Sequence, residues 1–367
     1  MNVLSLAKDL QGEIESIPLQ SLGYETIDSR HSRGQQIQAL IQDKTKDLPE
    51  SLQRRLIDEF DGNGPLTDLF MDEDISEILV LSPLEIWFEK NGELHKHVDS
   101  FATDLTFQNY VHRLCHDLGK ELTKDNPAID GQLMQFRIHI IDKELTQSSI
   151  HISFRRQKIS PWTFEMFEKL GWAEKEQIEI IRSWIKQQKN FLVIGPTGSG
   201  KTSVLNACLQ ELKPNERVVV IEDTKEVHLP NLVSSRLLTR RDSHGIVKNI
   251  DMAELLKQSL RMRPDRLIVG EVRGGEAKDL LLSLSTGHGG SMGTLHASNP
   301  HQTLIRLEML IQMGAPHWSL SAIRKLISVS LDGLLIVGKD HEGQRKLEGL
   351  YALTSLEETG FLTEKII

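Results

Sequence analysis

The sequence predicts an α/β chain: a parallel-sheet domain at the carboxyl end, a mixed α/β domain before it, and a short helical lead-in. Three observations carry this. After residue 175, β-rich apolar runs alternate with helical stretches ("NFLVIG", "KTSVLNACLQEL", "RVVVIED", "MAELLKQSLRM", "DRLIVGEV"), the pattern of a parallel sheet with crossover helices. Between 61 and 156 short strands alternate apolar and polar residues around one amphipathic helix. Finally, 367 residues with 39% hydrophobic and 26% charged side chains are enough for two ordinary globular cores.

The elements follow in chain order. Within 1–60, "LPESLQRRLIDEF" sets Leu52, Leu56 and Phe60 four residues apart on one helical face, and "GQQIQALIQDKTKD" is a weaker helix. "FDGNGPL" is a turn cluster that opens the next domain. In 61–156, "ISEILVL" and "EIWFEKNGEL" are strands, the second turning at Asn91-Gly92. "TFQNYVHRLCHDLGK" is a helix ending near Gly119, and "QFRIHII" and "SSIHISFRR" alternate as half-buried strands. Pro161 breaks the pattern, so 157–175 is expected as a linker with a short helix. "AEKEQIEIIRSWIKQQ" then opens the last domain, 176–367.

Composition excludes several classes. The longest apolar runs, "FLVIG" and "DGLLIVG", are far too short to cross a bilayer. Lys8 and Asp9 interrupt the amino end before any signal-like run develops, so a cytoplasmic location is expected. Two cysteines, Cys115 and Cys208, cannot build an all-cysteine zinc site. A net charge of −9 with 5% aromatics weighs against a general nucleic-acid binder.

The chemistry begins at "VIGPTGSGKTS". Gly195, Pro196, Thr197, Gly198, Ser199, Gly200, Lys201 and Thr202 fit G-x-x-x-x-G-K-[ST], with Ser203 next to them, an apolar strand entering and a helix leaving. Glycines turn backbone amides toward phosphate oxygens, and the helix amino end adds partial positive charge. Lys201 suits the β- and γ-phosphates, and the Thr202 hydroxyl suits Mg²⁺. No guanine-selective NKxD follows, so ATP is the expected nucleotide. A phosphate-transferring site also needs acids for the metal shell and for water. "DRLIVGEV" ends on Gly270 and Glu271 where an Asp is usual, making Glu271 the candidate for metal and water; "VVVIEDTKEVHL" adds Glu222, Asp223 and Glu226 at another strand end. "TGHGGSMGTLHAS" carries His288 and His296, which leaves a metal site, acid–base chemistry and an ordinary loop open.

The order "GPTGSGKT", "VIEDTKEVHL", "LRMRPDRLIVGEVRGGEA", "TGHGGSMGTLHA" resembles the Walker A, Asp, Walker B and His boxes of the secretion-superfamily ATPases, which serve type II and type IV secretion, type IV pili and tight-adherence (Tad/Flp) pili. "RMRPDRLIVGEVRGGEA" and "RLEMLIQMGAP" are most similar to the tight-adherence branch, and the likeness spans about residues 60–340. The tetracysteine insert often carried by pilus-extension members is absent. The resemblance implies a homo-hexamer with ATP bound between an N-terminal domain and a RecA-like motor domain. It implies that Glu226 and Glu271 activate water, that His288 and His296 couple nucleotide state to neighbouring parts of the motor, and that Arg137, Arg155 and Arg156 serve the γ-phosphate. Apart from the resemblance, Arg240 and Arg241, near the edge of the last domain, are the next candidates if those three do not serve. The expected function is a cytoplasmic motor acting on an inner-membrane platform protein to assemble or retract a pilus, or to drive secretion, with no nucleic acid involved. The rivals are a DNA-translocating RecA-like motor, a type IV secretion (conjugation) ATPase, and a nucleotide-bound scaffold that hydrolyses little.

Overall fold

Alternating apolar patterns become two sheets, one in each of two compact units, residues 1–158 and 159–367, in a computed structural model that describes residues 3–17, 27–157, 160–240, 247–357 and 360–367. In the first unit the lead-in forms α1 (Val3–Glu15), α2 (Ile27–Thr45) and α3 (Glu50–Asp61), followed by α4 (Thr67–Met71). Then come β1 (Ile75–Ser82), β2 (Glu85–Lys90), β3 (Glu93–Lys96), α5 (Asp104–Asp117), β4 (Ala128–Leu133), β5 (Phe136–Ile141), α6 (Lys143–Thr146) and β6 (His151–Arg156). The sheet runs β3-β2-β1-β6-β5-β4, with antiparallel neighbours. Asn91 and Gly92 both take positive φ, +55° and +84°, the two-residue hairpin expected of an Asn-Gly pair. One sheet face is apolar (Ile78, Ile138, Ile152, Phe154) and buries against Phe107, Tyr110 and Leu114 of α5. The opposite face keeps the polar residues of the alternation.

The last lead-in helix, α3, is tied to the start of α5 by a buried carboxylate. Glu59 Oε1 accepts hydrogen bonds from the Ala102 amide, at 2.7 Å, and from the Thr106 hydroxyl, while Oε2 accepts from Arg55 Nη1 at 2.7 Å. A buried carboxylate is tolerable only when its lone pairs are met in this way.

The second unit holds α7 (Phe164–Lys169), α8 (Lys175–Lys186), β7 (Phe191–Gly195), α9 (Lys201–Gln210), β8 (Val218–Glu222), β9 (Ser235–Leu238), α10 (Met252–Ser259) and β10 (Arg266–Val272). It continues through α11 (Glu276–Leu284), β11 (Met292–His296), α12 (Pro300–Gly314), α13 (Leu320–Ser330), β12 (Gly333–Lys339), β13 (Arg345–Glu357) and β14 (Gly360–Lys365). The sheet order is β14-β13-β12-β7-β11-β10-β8-β9, parallel from β12 to β9, with an antiparallel edge of β13 and β14. Every residue of β7 and β8 is buried, as expected of strands covered by helices on both faces. Within the stretch expected as a linker, three aromatic side chains reach the core: Phe164, Phe167 and Trp172 are buried with Ile178 and Phe191, while most of the other described residues there are exposed or half-buried. Pro161 does break the strand pattern, but the aromatic residues after it carry too much apolar surface to stay in solvent.

Candidate active site

Parallel strands end together, so their carboxyl ends gather whatever side chains follow them. At the end of β7, Gly198 and Gly200 take φ of +73° and +93°, left-handed conformations that L side chains rarely adopt. Residues 195–200 thereby wrap into a cradle closing on the amino end of α9. Lys201, the first residue of that helix, is buried and turned back into the cradle. Its Nζ donates to the carbonyls of Gly195 and Pro196, both at 3.0 Å, and lies 3.2 Å from His296 Nδ1.

His296 ends β11, opposite Gly195 in the parallel register. An ammonium can only donate, so Nδ1 is the acceptor and the neutral ring carries its proton on Nε2. Nε2 faces Glu271 Oε1 at 2.8 Å. The two atoms are close without the alignment of a hydrogen bond, and Oε1 has no hydrogen-bond partner among the described residues although that atom is buried. Burial, first, and the Lys201 charge, second, hold the His296 pKa below the ordinary histidine value against the opposing pull of Glu271. The neutral ring that the geometry needs is thus the form the surroundings favour.

Glu271 Oε2 accepts from Arg273 Nη2, a residue that sequence reading passed over; the signal was its place two residues on in "GEVRGGEA". Arg273 Nη1 also stands 4.0 Å from Asp223 Oδ2, and Asp223 Oδ1 accepts from the Thr239 hydroxyl at 2.9 Å. Glu271 beside it raises the Arg273 pKa.

Glu222 has a place other than the one expected for a nucleotide contact. Its carboxylate is buried; Oε1 accepts from the amides of Glu226 (2.9 Å) and Val227 (2.8 Å), and Oε2 from Arg236 Nε (2.9 Å). It shapes the acidic loop from within, and so fixes the backbone of Glu226. It also explains the glycine at the end of the Walker B strand: a Cβ on Gly270 would lie 2.9 Å from Glu222 Cγ.

His288 is elsewhere. It precedes β11, at the amino ends of the strands, with Nδ1 3.1 Å from the Ser283 carbonyl and its own carbonyl accepting from the Ser291 hydroxyl at 2.7 Å. The full strand separates it from His296, about 13 Å at ~3.3 Å per residue. The two histidines cannot share a metal ion.

In the first unit the three arginines part company. Arg156 gives two of its three nitrogens to structure: Nε donates to the Ile75 carbonyl (2.7 Å), Nη2 to those of Phe70 (3.0 Å) and Asp72 (2.8 Å), and the guanidinium lies 4.6 Å from the Phe136 ring centroid, while Nη1 is buried with no hydrogen-bond partner among the described residues. Arg155 is exposed and directly opposite Arg137 in the antiparallel register, with Glu77 opposite on the other side. Like charges facing each other across a ladder are unfavourable on their own. In the second unit Arg240 donates from Nε (3.2 Å) and Nη2 (3.0 Å) to the Lys248 carbonyl, and Arg241 lies outside the described residues.

A glycine cradle at a strand end, its lysine, and a carboxylate two strands away in the same parallel sheet define a P-loop ATPase. Residues 59–336 match the family described as Type II/IV secretion system protein, and the chain belongs to that family. The type IV secretion system protein PtlH of Bordetella pertussis is 35% identical over 296 residues, 72% of this chain and 86% of its own. The conjugal transfer protein TrbB of Rhizobium radiobacter is 30% identical over 290 residues, 76% of this chain and 84% of its own. The crystal structure of the Legionella pneumophila ATPase DotB has the same fold, at a TM-score of 0.57 and 18% identity, covering 81% of each chain. No described helix is long and apolar enough to cross a membrane.

Proposed function

We propose that this chain is the hexameric motor of a secretion machine, hydrolysing ATP at the cradle between β7 and α9. The observation that carries the reading is the run Lys201–His296–Glu271, a phosphate-binding lysine joined through one neutral imidazole to a half-buried carboxylate whose Oε1 is shielded from solvent. In this reading the amides of residues 195–203 and the Lys201 ammonium hold the phosphates. Thr202 and Glu271 hold Mg²⁺ with Asp223 nearby, and the ion supplies positive charge to the phosphate oxygens when bound. The unmet Oε1 of Glu271 orients the attacking water and takes its proton, with Glu226 as the second acid. His296 reports the change around Lys201 to the end of β10. Arg137 and Arg155 remain the proposed anion-binding arginines, because a planar guanidinium makes paired hydrogen bonds to a phosphate and stays charged.

The machine we favour is of the type IV secretion or conjugation kind, supported by the names of the relatives at 30–35% identity. The tight-adherence pilus is the second reading, supported by "RMRPDRLIVGEVRGGEA" and "RLEMLIQMGAP". In either case the motor works in the cytoplasm, held at the inner membrane by a platform protein. Lys201→Ala tests the core of the reading. It should abolish ATP hydrolysis and weaken ATP binding by on the order of 10²-fold, because a charge-assisted phosphate contact is lost. Hydrolysis at the wild-type rate would remove the cradle from the mechanism.

A further inference from the structure

The turn between β12 and β13 reaches the phosphate cradle from the side away from Glu271. Arg345 Nε donates to the Gly198 carbonyl at 3.2 Å, and a Cβ placed on Gly200 would lie 3.2 Å from Arg345 Cδ. A Cβ placed on Gly198 would lie 3.5 Å from Lys339 Nζ. Lys339 and Arg345 are paired across the antiparallel ladder, two exposed cations directly opposite each other. Such a pair is unfavourable unless an anion sits beside it. Of the two acids in the turn, Asp340 is engaged in shaping it: its Oδ1 accepts from the amides of Glu342 (3.0 Å) and Gln344 (2.8 Å).

Sheet order decides which end of a nucleotide would meet this pair. β7 carries the cradle; β11 and β10, with His296 and Glu271, lie to one side of it, and β12 and β13 to the other. The terminal phosphate must point toward Glu271. The α-phosphate and ribose therefore extend over the β12–β13 turn. Both cations stand beyond residue 336, outside the stretch matched to the family.

We propose that Lys339 and Arg345 bind the nucleoside end of the nucleotide, pairing with the α-phosphate and the ribose edge. This rests on the reading of the cradle as an ATP site. Arg345 then contributes to binding ground state and transition state equally, so its loss raises KM and spares kcat.

The experiment measures the affinity of fluorescent ADP and ATP analogues, with steady-state ATPase, for the full-length protein and for Arg345→Ala, Arg345→Gln and Lys339→Ala. Arg345→Ala should weaken ADP and ATP by the same factor, about 5- to 20-fold, with kcat within about twofold of wild type. Lys339→Ala should do the same to a smaller degree. Arg345→Gln can still donate to the Gly198 carbonyl but has no charge, and should resemble Arg345→Ala. Unchanged affinity in Arg345→Ala would overturn the proposal. So would a Gln variant that binds like wild type, which would leave Arg345 as a prop for the loop alone, or a loss confined to ATP, which would move the contact to the γ-phosphate. Wild-type protein that binds neither nucleotide would instead refute the ATP site itself.

Discussion

His288 and His296 stand eight residues apart in one motif, yet the fold sets them at opposite ends of β11. At the amino end, His288 sits among contacts that hold the sheet together. Close by, the buried Arg266 pairs with Glu216 and donates to the carbonyls of Gly290 (3.1 Å) and Ile185 (3.0 Å). At the carboxyl end, His296 bridges a lysine and a carboxylate with an unmet oxygen. The lesson is that a parallel strand separates stability from chemistry within a single sequence motif, since ligands gather only at the carboxyl ends.

The largest effect expected from breaking the carboxyl end is at Glu271. Glu271→Gln is nearly isosteric but cannot accept a proton or hold a metal-water shell as a carboxylate does. Steady-state turnover should fall by roughly 10²- to 10³-fold with ATP binding retained, the size of effect known for removing one positioned catalytic group. Near-normal turnover in Glu271→Gln, beside an inactive Glu226→Gln, would transfer the water-activating role to the acidic loop.

A second contrast, between neighbouring arginines, sharpens the same distinction. Arg156→Ala strips the cover from several backbone carbonyls and should cost about 2–4 kcal/mol in denaturant unfolding. Arg155→Ala should leave unfolding within about 0.5 kcal/mol of wild type, as exposed positions do. Turnover is the readout that matters for Arg155: a clear loss supports a phosphate role, and an unchanged rate removes it.

Acidification gives a smaller, graded effect. The native protein holds His296 neutral with a depressed pKa, whereas the unfolded chain titrates it normally. As pH falls the unfolded state takes up the proton first, so this group's contribution to stability is complete above the ordinary histidine range. It is lost as pH drops through that range to the depressed native value. In the same window the Lys201 contact gives way to repulsion. The acid limb of the ATPase profile should therefore lie below the ~6.5 of an unperturbed histidine. A limb above that value, unmoved by His296→Ala, would assign the titration to another group.

Much of this was legible in the sequence because local rules acted alone. The cradle announced itself through glycine spacing between a strand and a helix, and Asn91-Gly92 through the only turn that suits it. The rest depended on partners distant in sequence. Nothing local shows that Glu222 turns inward to Arg236, that Arg156 donates to backbone carbonyls near residues 69–75, or that Pro161 opens a segment with three buried aromatic side chains. Arg345 was hidden for the same reason: 147 residues separate it from the Gly198 carbonyl it holds. Even the missing Walker B aspartate was readable only in part, since Gly270 has a physical cause only once Glu222 is seen beside it.

The central claim is that hydrolysis belongs to the carboxyl end of β11 and structure to its amino end. Steady-state ATPase on His296→Ala and His288→Ala, each normalised to folded protein, tests it most directly. The account predicts a loss of kcat of roughly 10- to 100-fold for His296→Ala with little change in nucleotide affinity. For His288→Ala it predicts a wild-type kcat with about 1 kcal/mol of lost stability. Equal losses of kcat in both variants, or a loss in His288→Ala alone, would contradict it.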